Sequence, residues 1–228
     1  AEKWVIKTTG DETEAVREYQ VGQFLSEALG AHHLEDLINP SRLHWSWNLA
    51  FRELPTHFNA IKWVDGVPLA HCYTSLDDSE IIHGILEILK IYSAVDPRSE
   101  VLKPNDYTVF IHGDLHDRQI LVDVENSGST SKKKWILIDF GLSRYKSVKK
   151  SNETSKSTTI TAVDEVLEFI SEMKVFVESR SLRQCLTKAT QLYARSSITV
   201  NELCQTLQQS VAPFLLHHQH QQQQQGEE

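Results

Sequence analysis

Cysteine, long apolar runs and basic charge are what this chain has least of. Its three cysteines, Cys72, Cys185 and Cys204, lie far apart and are odd in number. No pair has zinc-finger spacing and no disulfide framework is suggested, so a reducing, cytoplasmic setting is expected. No apolar run approaches the ~18–20 residues that cross a bilayer. The opening Ala1-Glu2-Lys3-Trp4 has neither a signal-peptide apolar stretch nor an initiator Met, as expected of a fragment or a processed form. The net charge is −8, which argues against a general binder of nucleic acid or anionic membrane, since those need basic faces.

What remains is ordinary globular composition, 40% apolar and 24% charged over 228 residues, enough for one large or two-lobed domain. Trp4 to Lys7 reads as the end of a strand. Asp11 and Glu14 have capping-box spacing, and a helix should run from there to about Leu29, with Val16, Tyr19, Phe24, Leu25 and Ala28 as its apolar stripe. Residues 32–58 read only as strands and a connection. Residues 60–64 form a short strand stopped by Asp65-Gly66 and Pro68. Asp77-Asp78-Ser79-Glu80 should cap a core helix whose face is Ile81, Ile82, Ile85, Leu86, Leu89 and Tyr92. Residues 107–111, 120–124 and 135–138 are β-like, and 125–134 has the composition of an exposed hairpin loop. Residues 146–159 are rich in Ser, Thr and Lys and should be mobile. Helices are expected over 161–177, 182–195 and 200–216. The His/Gln tract at 217–228 reads as a disordered tail, with metal binding by its histidines as the alternative.

Two segments carry chemistry. Residues 110–122 read Phe-Ile-His-Gly-Asp-Leu-His-Asp-Arg-Gln-Ile-Leu-Val, and 135–143 read Trp-Ile-Leu-Ile-Asp-Phe-Gly-Leu-Ser. Each is an apolar strand that delivers an aspartate at its end, Asp114 and then Asp139, about 25 residues later. Two strand ends joined by a hairpin hold such carboxylates rigidly side by side. Phosphoryl transfer needs one carboxylate at the attacking hydroxyl, another on Mg²⁺, and a cation on the phosphates.

The pair His112-Gly113-Asp114-Leu115-His116 and Asp139-Phe140-Gly141 resembles the protein-kinase-like superfamily. Within it the wording is most similar to the aminoglycoside phosphotransferase and choline kinase branch, and also to the small atypical kinase of the KEOPS complex. The resemblance implies an α+β, two-lobed kinase-like fold: a partial, truncated N-terminal β lobe over 1–64, a mainly helical lobe over 65–216, and the tail. It implies ATP and Mg²⁺ as cofactors. Asp114 would be the catalytic base and Asp139 a metal ligand. Lys7 would contact the phosphates, paired with Glu18, although Glu14 lies one turn away on the same face. Residues 61–64, with Ile61 and Trp63, would form the hinge that meets adenine. Asp164 would brace the catalytic loop. His112 reads as a packed, hydrogen-bonded core residue, and His116 as either packed or in contact with a phosphate or the loop.

Three departures stand out. The protein-kinase catalytic loop has Arg where this chain has Gly113, and Lys where it has His116. The residue five after the base is Gln119, where Asn usually serves as a second metal ligand; Gln keeps the amide oxygen on a longer arm. A Gly-rich phosphate-covering loop is expected ahead of Lys7, and only six residues precede it. The leading reading is a phosphotransferase acting on a small-molecule hydroxyl. An atypical Ser/Thr protein kinase and a non-catalytic pseudokinase are the rivals.

Overall fold

The computed structural model describes residues 2–47, 56–95, 108–123, 133–147, 162–193 and 199–225. The helix expected from the cluster of acidic residues at 77–80 is α2, Asp78–Ala94. Asp77 caps it, and Glu80 returns a hydrogen bond to the Asp77 amide, so two of the orphan donors at the helix start are satisfied. All six positions expected on its apolar face are buried, and Ile88 and Ile91 join them. An apolar arc that wide leaves only a narrow side, at Lys90, open to water, so α2 is a core element. The β7 strand, Trp135–Leu137, crosses it where Gly84 leaves room: a Cβ there would sit 2.0 Å from the fully buried Trp135 ring.

Helix α1, Glu12–Gly30, starts at Asp11, whose carboxylate accepts from the Thr13 and Glu14 amides. Its buried face is Ala15, Glu18, Val21, Gly22, Leu25 and Leu29. Of the expected stripe only Leu25 is fully buried; Val16, Tyr19, Phe24 and Ala28 are half-covered. The phase differs because Glu18, expected as the partner of Lys7 but left out of the apolar stripe, is turned inward by that ion pair.

Three antiparallel strands lie against α1: β1 (Trp4–Thr9), β2 (Ser41–Trp47) and β3 (Thr56–Lys62), in the order β1-β3-β2. The register sets Lys7 opposite Asn59 and Asn59 opposite His44. Alternation along the strands then points those three side chains to one face of the sheet. Trp4, Ile6, Leu43, Trp45 and Trp47 are exposed.

A second sheet has the order β4-β6-β7, with β4 at Gly66–Pro68 and β6 at Ile120–Asp123. A third pairs β5, Thr108–Ile111, with β8, Arg144–Ser147. Lys146 and Ser147, expected in the mobile stretch, belong to β8; the rest of that stretch, and most of the loop at 125–134, lie outside the described residues. Helices α3 (Ala162–Met173), α4 (Arg180–Tyr193) and α5 (Val200–Gln225) follow. They pack on one another, and α3 and α5 pack on α2. The backbone of α5 stays helical through Gln225, where a disordered tail was expected. Gln is a good helix former, so an anchored helix extends through a tract that has nothing to bury. The whole is a mixed α+β architecture, with five α-helices and three small sheets among the described residues.

Candidate active site

Lys7 is the meeting point of three elements. From β1 its Nζ reaches Asp139 Oδ1 at 2.8 Å, Glu18 Oε2 at 3.1 Å and Glu14 Oε1 at 3.8 Å. The Glu18 side chain is 2% exposed and Glu14 35%, so Glu18 is the closer and better shielded partner. Burial works to lower the Lys7 pKa, but the Asp139 hydrogen bond and the charges of Glu18 and Asp139 outweigh it and hold the ammonium above its ordinary value.

Asp139 follows β7 at a sharp turn and takes a left-handed φ of 59°, a conformation that costs a non-glycine residue free energy. Phe140, fully buried beside Phe110 and His112, anchors the turn. Gly141 leaves space for the charged cluster: a Cβ there would lie 3.0 Å from Glu14 Oε1 and 3.2 Å from Lys7 Nζ. Burial pushes the Asp139 pKa up, yet Lys7, the Gly141 amide and His112 together leave it below the usual carboxylate value.

The turn after β5 carries Asp114. Gly113 before it has φ 87°, and a Cβ would meet the Leu142 carbonyl oxygen at 2.5 Å. No side chain fits there, which is the physical reason for glycine at this position. His112 is buried and directs Nε2 at the Ile138 carbonyl, 2.9 Å away. Burial lowers its pKa against the opposing pull of the Ile138 carbonyl and of Glu165, Asp139 and Asp114, so the neutral ring donates through Nε2. Asp114 and Asp139 thus flank one buried imidazole. The two turns are tied further: Ser143 Oγ donates to the His112 carbonyl at 2.8 Å, and the Ile138 amide donates to the Gln119 carbonyl at 2.9 Å.

Asp114 Oδ2 accepts from Gln119 Nε2 at 2.9 Å and lies 3.4 Å from His116 Nε2. His116 Nδ1 accepts the Arg118 amide at 3.1 Å, which puts the ring proton of a neutral His116 on Nε2, toward Asp114. His116 is therefore a loop contact in this structure. Tyr73 donates its hydroxyl to Asp117 at 2.9 Å and stacks on Phe176, pinning the loop from the segment after β4. Burial and the Asp117 carboxylate both push the Tyr73 phenol pKa up.

The brace beneath the loop is Glu165, not Asp164. Glu165 Oε2 accepts from the His112 amide at 2.9 Å and the Tyr92 hydroxyl at 2.6 Å, and Oε1 accepts from the Gly113 amide at 2.6 Å. Asp164 is exposed at the start of α3. The phase of α3 held the signal: Glu165 lies four residues before the buried Phe169, on the inward face, and Asp164 does not.

Ile61 sits inside the β1-β3-β2 ladder, opposite Val5 and Ser41. The Trp63 amide extends that ladder by donating to the Lys3 carbonyl at 2.9 Å, and its indole is exposed and bonded to Asp65. The Trp63 N–H is therefore engaged within the protein.

Among the described residues no group of three or more His, Cys, Asp or Glu is placed to hold a metal. Mg²⁺ does not require one, since it takes one or two protein carboxylates and completes its shell with phosphates and water. Asp139, held ionised, is a carboxylate of that kind.

Lys7 of β1, Glu18 of α1 and Asp139 after β7 thus meet in one charged cluster, and the Asp139 turn is hydrogen-bonded to the turn that carries Asp114. Residues 85–149 match the ecdysteroid kinase-like family, a kinase-like family of the protein-kinase-like superfamily. The matched span holds Asp114, Gln119 and Asp139 but not Lys7, which the fold brings to Asp139 from 132 residues away, nor Glu18, which pairs with Lys7. No curated protein matches the chain.

Proposed function

We propose that this protein is an ATP- and Mg²⁺-dependent phosphotransferase that phosphorylates a hydroxyl group, most simply of a small molecule, on a two-lobed kinase-like fold. The observation that carries the reading is Lys7 held between Glu18 at 3.1 Å and Asp139 at 2.8 Å, from three separate elements. Mg²⁺, bound by Asp139 and Gln119, would neutralise phosphate charge. Lys7 supplies a fixed cation for the phosphates, and Glu18 keeps that cation oriented. Asp114 accepts the proton of the acceptor hydroxyl, with Gln119 and His116 fixing its rotamer. Residues 61–64 form the hinge beside adenine, the boundary between the lobes falls near residue 64, and the setting is cytoplasmic. The wording of residues 112–116 favours the aminoglycoside phosphotransferase and choline kinase branch, and so a small-molecule acceptor over a protein.

One observation favours a second reading. The Gln119 amide nitrogen is spent on Asp114, as in a cleft kept as a binding scaffold without turnover. Calorimetry with Mg·ATP and ADP release over a panel of alcohols separate the two. Asp114→Asn should keep Mg·ATP affinity within a few-fold and abolish transfer, because the base acts on the acceptor. Asp139→Asn should lose both. A wild-type protein that shows no magnesium-dependent nucleotide binding ends the phosphotransferase reading.

A further inference from the structure

We infer that Asn59 is a positioning residue for the Lys7–Glu18 pair, acting through the Glu18 carboxylate; the inference rests on the proposed role of that pair in holding phosphates. Glu18 is almost fully buried, and a carboxylate so placed needs more than one donor. Its Oε2 has two, Lys7 Nζ at 3.1 Å and Asn59 Nδ2 at 3.1 Å. The same Asn59 nitrogen donates to the Ala15 carbonyl at 3.1 Å, one turn earlier in α1. One amide on β3 therefore clamps both the backbone of α1 and the side chain that α1 presents to Lys7.

The orientation of that amide follows from chemistry. Its nitrogen faces two acceptors, a carboxylate and a carbonyl; turned over, its oxygen would join them with no proton between. Asn59 Oδ1 faces His44 Nδ1 at 2.9 Å, which assigns a proton to that ring nitrogen. His44 lies parallel to the buried ring of His57, with centroids 5.8 Å apart. The chain Lys7–Glu18–Asn59–His44 runs from the cleft across the sheet face, and the register Lys7↔Asn59↔His44 produces it.

Without Asn59 the Glu18 carboxylate keeps one donor and turns away from its position. Lys7 then rests on Asp139, the carboxylate the metal needs, and on the more distant and more exposed Glu14. The effect is read through Glu18, so it must vanish when Glu18 is changed, whereas a general packing role would not.

The test uses the full chain and two readouts. The first requires no nucleotide: acylation of Lys7 by a succinimidyl ester, followed by mass spectrometry. Asn59→Leu should speed Lys7 labelling severalfold relative to other lysines, Glu18→Gln should do the same, and the double variant should add nothing. The second is Mg·ATP affinity, which Asn59→Leu should weaken by about tenfold, the size of one lost hydrogen bond to a charged group. Asn59→Asp, closer in shape, should be worse than Asn59→Leu, because it sets a second carboxylate against Glu18. If Asn59→Leu does not fold, His44→Phe removes only the donor that orients the amide and should give the same changes in smaller degree. Unchanged Lys7 labelling in the folded variants, or effects that add to Glu18→Gln, would overturn the inference. Faster Lys7 labelling in a protein that binds no Mg·ATP would overturn the phosphotransferase reading and leave the coupling standing.

Discussion

Replacing Glu165 by alanine should be among the most damaging single changes in this protein, although the residue touches no expected ligand. Its two oxygens accept from three donors, the His112 and Gly113 amides and the Tyr92 hydroxyl, at 2.6–2.9 Å. His112 and Tyr92 are 0% and 2% exposed, so little water reaches what the carboxylate leaves behind. Each stranded donor costs roughly 1–3 kcal/mol. Three together, partly relieved by relaxation of the site, come to about 3–6 kcal/mol, against a total stability of ~5–15 kcal/mol for a typical domain. Glu165→Gln keeps one acceptor oxygen and should cost about half as much. Asp164→Ala, on the exposed side of α3, should cost less than Glu165→Ala. Urea denaturation followed by tryptophan fluorescence gives all three values. A loss under about 1 kcal/mol for Glu165→Ala, or equal losses at 164 and 165, would refute the assignment of the brace.

Three further outcomes follow from the same geometry. The folded-state pKa of Asp139 is depressed, so the stability it contributes is present above the ordinary carboxylate value and is lost as pH falls through the lower folded value; Lys7→Met should raise that value, seen by carboxyl ¹³C NMR titration. Gly113→Ala forces a side chain into φ 87° and against the Leu142 carbonyl, and should cost ~1–3 kcal/mol in denaturant, while Gly10→Ala, at the β1–α1 turn with open space around it, costs less. Gly84→Ala drives a methyl into the Trp135 ring and should shift α2 or the indole, at a cost of about 1–3 kcal/mol or more by thermal unfolding, with a changed tryptophan fluorescence.

Much of the secondary structure was legible because it is written locally. The capping acceptors at 77–80 and the unbroken apolar arc of α2 need no tertiary knowledge to read. The same holds for the apolar runs of β5, β6 and β7 and for the aspartates that follow β5 and β7. The phase of α1 was not legible in the same way. Glu18 is polar by type and buried by partnership, and the partner comes from a strand eleven residues earlier. Asn59 was hidden for a related reason: its role depends on a register among three strands, and residues 32–58 gave no clear period. The brace at 165 in place of 164 turned on a single residue of helical phase, which the stripe Val166, Phe169, Ile170 and Met173 already carried. The helical backbone through Gln225 shows the limit of composition as a guide, since inability to form a core does not prevent a helix from continuing.

The four links between the Asp114 turn and the Asp139 turn have a mechanical consequence. His112 to Ile138, Ser143 to His112, Ile138 to Gln119, and the packing of Gly113 on Leu142 join the two loops across β-strand ends. Neither loop can swing alone without breaking several of these at once. They should therefore open as one unit, and the amide protons of Ile138, His112 and Gly113 should exchange with solvent at a shared rate set by a single opening event. The distance between the two carboxylates is then a fixed property of the protein, like the gap of a spanner. Whatever adjustment a bound molecule demands falls instead on the side chain of Lys7 and on the sheet that carries it.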